Sequence, residues 1–329
     1  MVPLSILELV RVTQTSTPKQ ALDRARDLTI HAEALGYHRV WIAEHHNFPG
    51  IASAATSLVI AYLAQATKTI RVGAGGIMLP NHAPYVIAEQ FGTLAHLFPG
   101  RIDLGLGRAP GTDQNTLRAL RRTPAAADNF PQDVLELQHY LSDEARGQAI
   151  EAVPAAGTKV PLWILGSSHF GAQLAAQLGL PYAFASHFAP RELLTALEDY
   201  RRYFQASAQL SKPHAMVGVN VIAAATDEEA RRLATTQQMS FVDMARGQRG
   251  LSKPPIDDIE TYWSPAEKRF AQGMLARSII GSKDTVRRGL KALVDETHAD
   301  ELIVVSDVYD FPARLRSFEL IMEALNSAD

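Results

Sequence analysis

The 329-residue chain contains no cysteine and has little excess of charge of either sign. The lack of cysteine excludes a disulfide scaffold, thiolate metal ligands and a cysteine nucleophile, and it fits a reducing compartment. With 32 basic and 35 acidic residues the formal net charge is -3, which argues against a generic nucleic-acid surface. We therefore expect a cytoplasmic protein that binds no nucleic acid.

Targeting signals and long apolar runs are also missing. The first residues, MVPLSILELVRV, lack the basic segment and the small-residue cleavage site of a signal peptide. The longest charge-free run, residues 48–67, contains Pro49, Gly50 and several hydroxyl side chains, so no membrane span is expected there. Hydrophobic residues make up 47% of the chain, enough for the large core of a globular protein.

What is present is an alternation of short β-rich runs with helical patterns. Strands are predicted over residues 4–9, 38–42, 70–74, 102–106, 160–165, 182–185, 216–223 and 301–305. Helices are predicted over residues 18–35, 54–66, 84–97, 126–141, 171–178, 191–204 and 314–325. Because parallel strands need long crossovers, this rhythm predicts a (β/α)₈ TIM barrel as one domain spanning residues 1–329. A doubly wound open sheet is the alternative.

Two irregular stretches, residues 143–159 and 247–268, interrupt this rhythm. In a barrel such insertions are expected at the face formed by the carboxyl ends of the strands. The second stretch is rich in proline and charge, and it is either a lid over a site or a surface loop.

Barrel enzymes carry their active residues just after the strands, and the second predicted strand is followed by Glu44, His45, His46 and Asn47. Adjacent histidines on an extended chain point to opposite faces, and no other cluster has metal-ligand spacing, so we expect no metal. One of the two histidines is expected to point into the barrel mouth and to handle protons near neutral pH. The alternative is a hydrogen-bonded structural imidazole.

The third and fourth predicted strands run into glycine-rich segments, residues 73–80 and 105–111. Glycines such as Gly75 and Gly76 let a flat ligand approach the backbone, although a turn without a ligand has the same composition. The second segment contains Arg108, whose planar guanidinium suits a phosphate but could equally form a surface ion pair.

After the fifth predicted strand, Gly166, Ser167 and Ser168 lead directly into a helix. Free backbone N–H groups at a helix start bind anions, and serines there also serve as simple caps. Together with Arg108, these residues predict a flat, phosphorylated cofactor at one rim of the barrel. They do not distinguish a flavin from a nicotinamide, pyridoxal phosphate or a sugar phosphate.

Four blocks in this order resemble the bacterial-luciferase-like flavin monooxygenases, in particular their single-chain, non-luminescent members. The blocks are WIAEHHNF (residues 41–48), RVGAGGIMLPNHAPYVIAEQ (71–90), PGRIDLGLGRAPG (99–111) and LGSSHFGAQLAAQLGLP (165–181). The resemblance extends from residue 4 to about residue 325. It implies a homodimeric barrel that uses O₂ and reduced FMN, supplied by a separate NAD(P)H:flavin reductase, to oxygenate a small organic substrate. A deazaflavin-dependent oxidoreductase of the same fold and a non-catalytic flavin-binding protein are the alternatives.

The resemblance also implies roles for individual residues. His45 corresponds to the catalytic histidine, and Gly75-Gly76 to a non-proline cis peptide against which the flavin ring packs. The remaining cofactor-binding positions are Arg108, Gly166, Ser167 and Ser168 at the phosphate and, after the sixth strand, Ser186 and His187 near the ring.

The chain departs from luciferase at three positions. Two alanines are replaced by Gly75-Gly76, a reactive cysteine by Gly107 and an acidic residue by Gly166. We therefore expect neither light emission nor a preference for long-chain aldehydes.

Overall fold

The computed structural model describes residues 2–109 and 113–326, and it shows nine parallel strands within them. The strands are β1 (Leu4–Glu8), β2 (Arg39–Ile42), β3 (Arg71–Met78), β4 (Ile102–Gly107), β5 (Leu162–Gly166), β6 (Tyr182–Phe184), β7 (Ala215–Ala223), β8 (Ile279–Gly281) and β9 (Glu301–Val305). Strands β1 to β6 pair with their sequence neighbours, β7 pairs with both β6 and β9, and β9 returns to β1. This closure confirms the (β/α)₈ barrel and excludes the open sheet.

Helices pack around the outside of the barrel. They are α1 (Pro18–Leu35), α2 (Thr56–Gln65), α3 (Pro84–Leu97), α4 (Gln114–Ala119), α5 (Phe130–Leu141), α6 (His169–Leu178), α7 (Leu193–Tyr203), α8 (Asp227–Ala245), α9 (Pro265–Met274), α10 (Lys283–Thr297) and α11 (Phe311–Asn326). Helix α1 illustrates why they form: Thr17 and Gln20 make a capping box, Pro18 occupies the first turn, and Gly36 ends the helix in a left-handed conformation. Within the described residues, no helix is long and apolar enough to cross a membrane.

The chain between β7 and β9 is richer in regular structure than the sequence predicted. It contains α8, α9 and α10, and the three-residue strand β8, which pairs with the end of β7 outside the barrel ring. Strand β8 is too short to show periodicity. Helix α8 did carry a signal, because Thr226 caps it by accepting a hydrogen bond from the backbone N–H of Glu229.

The two irregular stretches lie in different places. Residues 143–159 connect α5 to β5 and pack along α3, where Tyr85 Oη donates to the Glu151 carbonyl at 3.1 Å and a Cβ on Gly92 would collide with Ala155. This stretch is therefore not at the barrel mouth, contrary to the expectation. Residues 247–268 do reach the mouth, where Ser252 forms a bridge with Thr13 just beyond β1.

The second stretch is attached to α8 over much of its length. Lys253 Nζ lies 2.7 Å from Asp243 Oδ2, and Tyr262 Oη donates to Asp243 Oδ1 at 2.6 Å. The Lys253 carbonyl also accepts a hydrogen bond from Thr236 Oγ1 at 2.9 Å. A large movement of residues 253–262 would break all three contacts, so any lid motion is restricted to the few residues before them.

A buried ionic cluster fills the amino end of the barrel. Arg39 Nη1 lies 2.7 Å from Asp103 Oδ2, and Arg39 Nε lies 2.9 Å from Glu301 Oε1. The guanidinium also stacks 4.9 Å from the ring centroid of Trp163. Because these side chains close the amino end, the opposite end of the barrel is left for a ligand.

Candidate functional site

Glu44 organises the carboxyl ends of β2 and β3. Its side chain is 1% exposed, and Oε1 accepts hydrogen bonds from Nε2 of His46 at 2.7 Å and of His82 at 2.8 Å. Its other oxygen, Oε2, accepts from the backbone N–H of Met78 at 3.0 Å. Burial alone would raise the pKa of Glu44, but these hydrogen bonds lower it to about 2, so the group is a buried carboxylate.

His45 faces away from this carboxylate. Burial, followed by the positive charge of Arg11, lowers its pKa to about 4, so the imidazole is neutral at neutral pH. Arg11 follows β1 and pairs with Asp307, which follows β9, at 3.1 Å. The structure therefore gives a local reason for choosing between the two histidines: Glu44 holds His46, and the alternation of the extended chain turns His45 towards the mouth.

His187 lies on the far side of the mouth, after β6. Its Nδ1 is buried without a hydrogen-bond partner, and burial together with the nearby His45 lowers its pKa to about 4. Its ring covers Gly218, where a Cβ would lie 2.5 Å from His187 Nδ1. The hydroxyl of the preceding Ser186 is buried and donates to the Gly218 carbonyl at 2.5 Å. The Ser186 hydroxyl therefore has a hydrogen-bond partner, whereas Nδ1 of His187 has none.

The Gly75-Gly76 peptide is cis, and it lies inside β3, where the pairing with β4 shifts register. The predicted glycine loop is thus part of the strand. A Cβ on Gly75 would lie 2.7 Å from Leu7 Cδ1, and one on Gly76 would lie 2.7 Å from the Gly105 carbonyl oxygen. Packing within the barrel already crowds both glycines, so their composition alone does not indicate a ligand.

Gly76→Ala is expected to lower the free energy of unfolding by about 1–3 kcal/mol, because its nearest obstacles are backbone atoms of β4 that cannot rotate away. Gly273→Ala is the matched control. Gly273 lies in α9 with no atom near its missing Cβ, so alanine there should stabilise by about 0.5–1 kcal/mol. Urea denaturation measures the free energy of unfolding of both variants. Equal values would contradict the prediction, because they would mean that the backbone of β4 moves to accommodate the alanine.

The strongest anion-binding feature joins β4 to α6. Arg108 extends from the end of β4 and places its guanidinium carbon 4.1 Å from the ring centroid of Phe170, in the first turn of α6. The N-cap, Ser168, makes no side-chain capping hydrogen bond, and the first turn contains no acidic residue. A cation at the end of β4 thus lies beside the N-terminus of the helix that follows β5, an arrangement suited to a phosphate.

The glycine of this turn differs from those of β3. A Cβ on Gly166 would make only ordinary contacts, at 3.4 Å from the Gly171 Cα and from Tyr182 Oη. Packing therefore does not require glycine here. The predicted segment of residues 105–111 ends in Pro110 and Gly111, which lie outside the described residues.

Residues 247–253 pass over the edge of the mouth. Arg249 Nη1 lies 3.1 Å from Asp113 Oδ2, and Asn47 Nδ2 donates to the same oxygen at 2.9 Å. Hydrogen bonds from the Thr116 backbone and from Asn47 lower the pKa of Asp113 to about 2, so the pair is charged at neutral pH. These contacts connect three separate loops above His45.

Sequence reasoning missed two of the residues at this site. Arg11 follows β1 directly, and the rule that was applied to the later strand ends would have found it. His82 lies in the block LPNHAP, but its role depends on a contact with Glu44 that no local pattern shows.

Fold and site together define a (β/α)₈-barrel protein whose ionisable and anion-binding groups lie at the carboxyl ends of the strands, where barrel enzymes carry out their chemistry. The family profile described as luciferase-like monooxygenase matches residues 2–301. The chain is 51% identical over 323 residues to a luciferase-like monooxygenase of Escherichia coli strain K12, covering 98% of this chain and 96% of that protein. It therefore belongs to the luciferase-like monooxygenase family.

Two further relatives support this assignment. The N-acetyl-S-alkylcysteine monooxygenase of Bacillus subtilis is 31% identical, with 100% of this chain and 99% of that protein covered. The crystal structure of apo-MsnO8 superposes with a TM-score of 0.90 at 35% identity, with 100% and 99% of the two chains covered.

Proposed function

We propose that the protein is a two-component monooxygenase that uses O₂ and reduced FMN, delivered by a separate NAD(P)H:flavin reductase, to oxygenate a small organic molecule. The observation that carries the proposal is Arg108, directly after β4, stacked on Phe170 beside the uncapped N-terminus of α6. A guanidinium and free backbone N–H groups converging from two elements provide the donors that a phosphate monoester accepts.

The residues of the mouth fit a flavin mononucleotide. Arg108, Ser167, Ser168 and the backbone of Gly166 would hold the phosphate, and the ring would extend towards the Gly75-Gly76 segment. Ser186 and His187, after β6, would lie near the ring. Bound in this way, the reduced flavin would supply the electrons with which O₂ is activated.

The chain's own contribution would be proton handling and the exclusion of water. The neutral His45 imidazole can accept a proton at a ring nitrogen and return it, whereas a charged imidazole could not accept one. Arg249, held by Asp113, covers the edge of the mouth above His45 and would limit the access of water to the reacting atoms.

The function is tested by mixing the protein anaerobically with reduced FMN or with reduced deazaflavin and then adding O₂. We expect the protein to bind reduced FMN and to alter the rate at which oxidised flavin reappears, compared with free flavin. Binding of the deazaflavin alone would support the oxidoreductase alternative. Binding of FMN with an unaltered reaction with O₂ would indicate a non-catalytic flavin-binding protein.

Product analysis with candidate substrates completes this test. Small thioethers form the first panel, because the relative from Bacillus subtilis is named for an S-alkylcysteine derivative. Incorporation of one labelled oxygen atom from O₂ into a product is the expected result. Consumption of O₂ that yields only hydrogen peroxide with every compound would leave the monooxygenase assignment without support.

A further inference from the structure

We propose that Glu44, His46 and His82 form a binding site for one divalent transition-metal ion such as Zn²⁺ or Co²⁺. Two imidazoles and one carboxylate are a ligand set that zinc enzymes and non-haem metal sites use. No metal was expected from the sequence, because adjacent histidines on an extended chain point to opposite faces and no cluster has metal-ligand spacing. The structure supplies the third ligand from the segment after β3.

The donor atoms already converge. Glu44 Oε1 and the Nε2 atoms of His46 and His82 all lie within 4.8 Å of one another. Donors around a tetrahedral zinc ion lie roughly 3.3 Å apart, given metal–ligand bonds of about 2.0–2.1 Å. The two carboxylate–imidazole distances, 2.7 and 2.8 Å, would need to lengthen by only about half an ångström, within the reach of small side-chain rotations. Each imidazole would also release the Nε2 proton that it donates to Oε1, because a metal ion binds the nitrogen lone pair.

The carboxylate is fixed in the orientation that a single-oxygen ligand requires. The backbone N–H of Met78 binds Oε2, which leaves Oε1 directed at the two imidazoles. Hydrogen bonds of this kind to the distal atom of a ligand orient it and strengthen metal binding.

Charge and access also suit a cation. The Glu44 side chain is 1% exposed, so a divalent ion would bring positive charge to a carboxyl group that water barely reaches. The His46 and His82 side chains are 15% and 28% exposed, which gives an ion and its remaining water ligands a route from solvent.

Other histidine–carboxylate contacts in the described part of the chain join one histidine to one carboxylate, without a third candidate ligand. His169 with Asp199 and His31 with Glu319 are examples, whereas the set at Glu44 is the one group of three candidate ligands found among the described residues. An ion there would clip the segment of residues 79–82 to the end of β2. Its effect would therefore be on the stability of the mouth, with no electron transfer required.

The test uses the full-length protein after removal of metals with a chelator. Equilibrium dialysis with Zn²⁺ should give one equivalent bound, with a Kd at or below about 1 μM. Co²⁺ should give the visible absorption bands of a four- or five-coordinate ion. Zn²⁺ should also raise the thermal midpoint, because a ligand that binds only the folded state stabilises it.

Two variants and one control decide the outcome. His82→Gln and Glu44→Gln should each weaken Zn²⁺ binding at least about tenfold and remove the Co²⁺ bands. His96→Gln changes an exposed histidine on α3 that contacts a backbone carbonyl, and it should bind like the wild type. If Glu44→Gln fails to fold, His82→Gln alone carries the test. Binding weaker than about 1 mM, or equal binding by His82→Gln and His96→Gln, would overturn the proposal.

Discussion

Arg39→Met is expected to lower the free energy of unfolding by about 3–5 kcal/mol, because it removes the cation that Asp103 and Glu301 share. Both carboxylates are at most 2% exposed, so water cannot replace the guanidinium. Arg71 would still pair with Asp103, which keeps the loss within this range. Denaturation in urea at neutral pH measures the effect.

The same variant should show a distinctive pH dependence. In the wild type, burial would raise the pKa of Glu301, but His214, whose Nε2 lies 3.7 Å from Glu301 Oε2, and the charge of Arg39 hold it below its ordinary value. Without Arg39 we expect the folded-state pKa to rise above the unfolded value. A group with a raised folded pKa binds its proton more tightly in the folded state, so the deficit in stability should shrink as the pH falls from 7.5 towards 5.

Arg26→Met is the matched control for this prediction. Arg26 contacts Asp27 and Asp23 at the protein surface, where solvent screens an ion pair and the pair adds little to stability. A loss in Arg39→Met no greater than in Arg26→Met would contradict the view that the cluster at the amino end of the barrel depends on its cation.

His45→Ala is expected to lower turnover by about 10²–10⁴-fold while leaving the affinity for reduced FMN nearly unchanged, since a positioned acid–base group contributes rate enhancements of this size. The wild-type rate should fall as the pH drops towards the His45 pKa of about 4, where the imidazole becomes protonated and can no longer accept a proton. Steady-state oxygenation, measured beside flavin titration, separates turnover from binding.

His139→Ala is the control variant, because this histidine is exposed on α5 and lies far from His45 in the sequence. It should match the wild type in both rate and affinity. Equal turnover in His45→Ala and His139→Ala would remove His45 from the mechanism. A parallel loss of flavin affinity in His45→Ala would instead give it a role in binding.

The barrel could be predicted because each of its eight strands is an apolar run followed, in most cases, by a recognisable helix. Local pattern failed where elements are short or depend on distant partners. Strand β8 has three residues and is held by the end of β7, so its sequence alone resembles a loop. The stretch of residues 143–159 could not be assigned to the outside of α3 without knowing that Gly92 leaves space for Ala155.

The ends of the predicted strands indicated which segments form the site. They did not indicate which side chains from different segments contact one another. The contact of His82 with Glu44 spans 38 residues, and no spacing rule reaches that far. The glycines of β3 were compatible with a closely approaching ligand or with a ligand-free turn, and the atoms around Gly75 and Gly76 show that packing alone accounts for their composition. The direction of the Arg108 side chain depends on its contact with Phe170 in another element, so it could not be predicted from the local sequence.

The proposal that the α6 end of the mouth holds the phosphate of reduced FMN is tested most directly by anaerobic titration of the wild type and Arg108→Gln with reduced FMN and reduced riboflavin. Loss of charge-assisted hydrogen bonds worth about 1.5–3 kcal/mol predicts roughly 10- to 100-fold weaker binding of FMN by the variant. Riboflavin lacks the phosphate, so both proteins should bind it equally. The proposal would be contradicted if the wild type failed to bind FMN below about 1 mM, or if Arg108→Gln weakened FMN and riboflavin to the same extent.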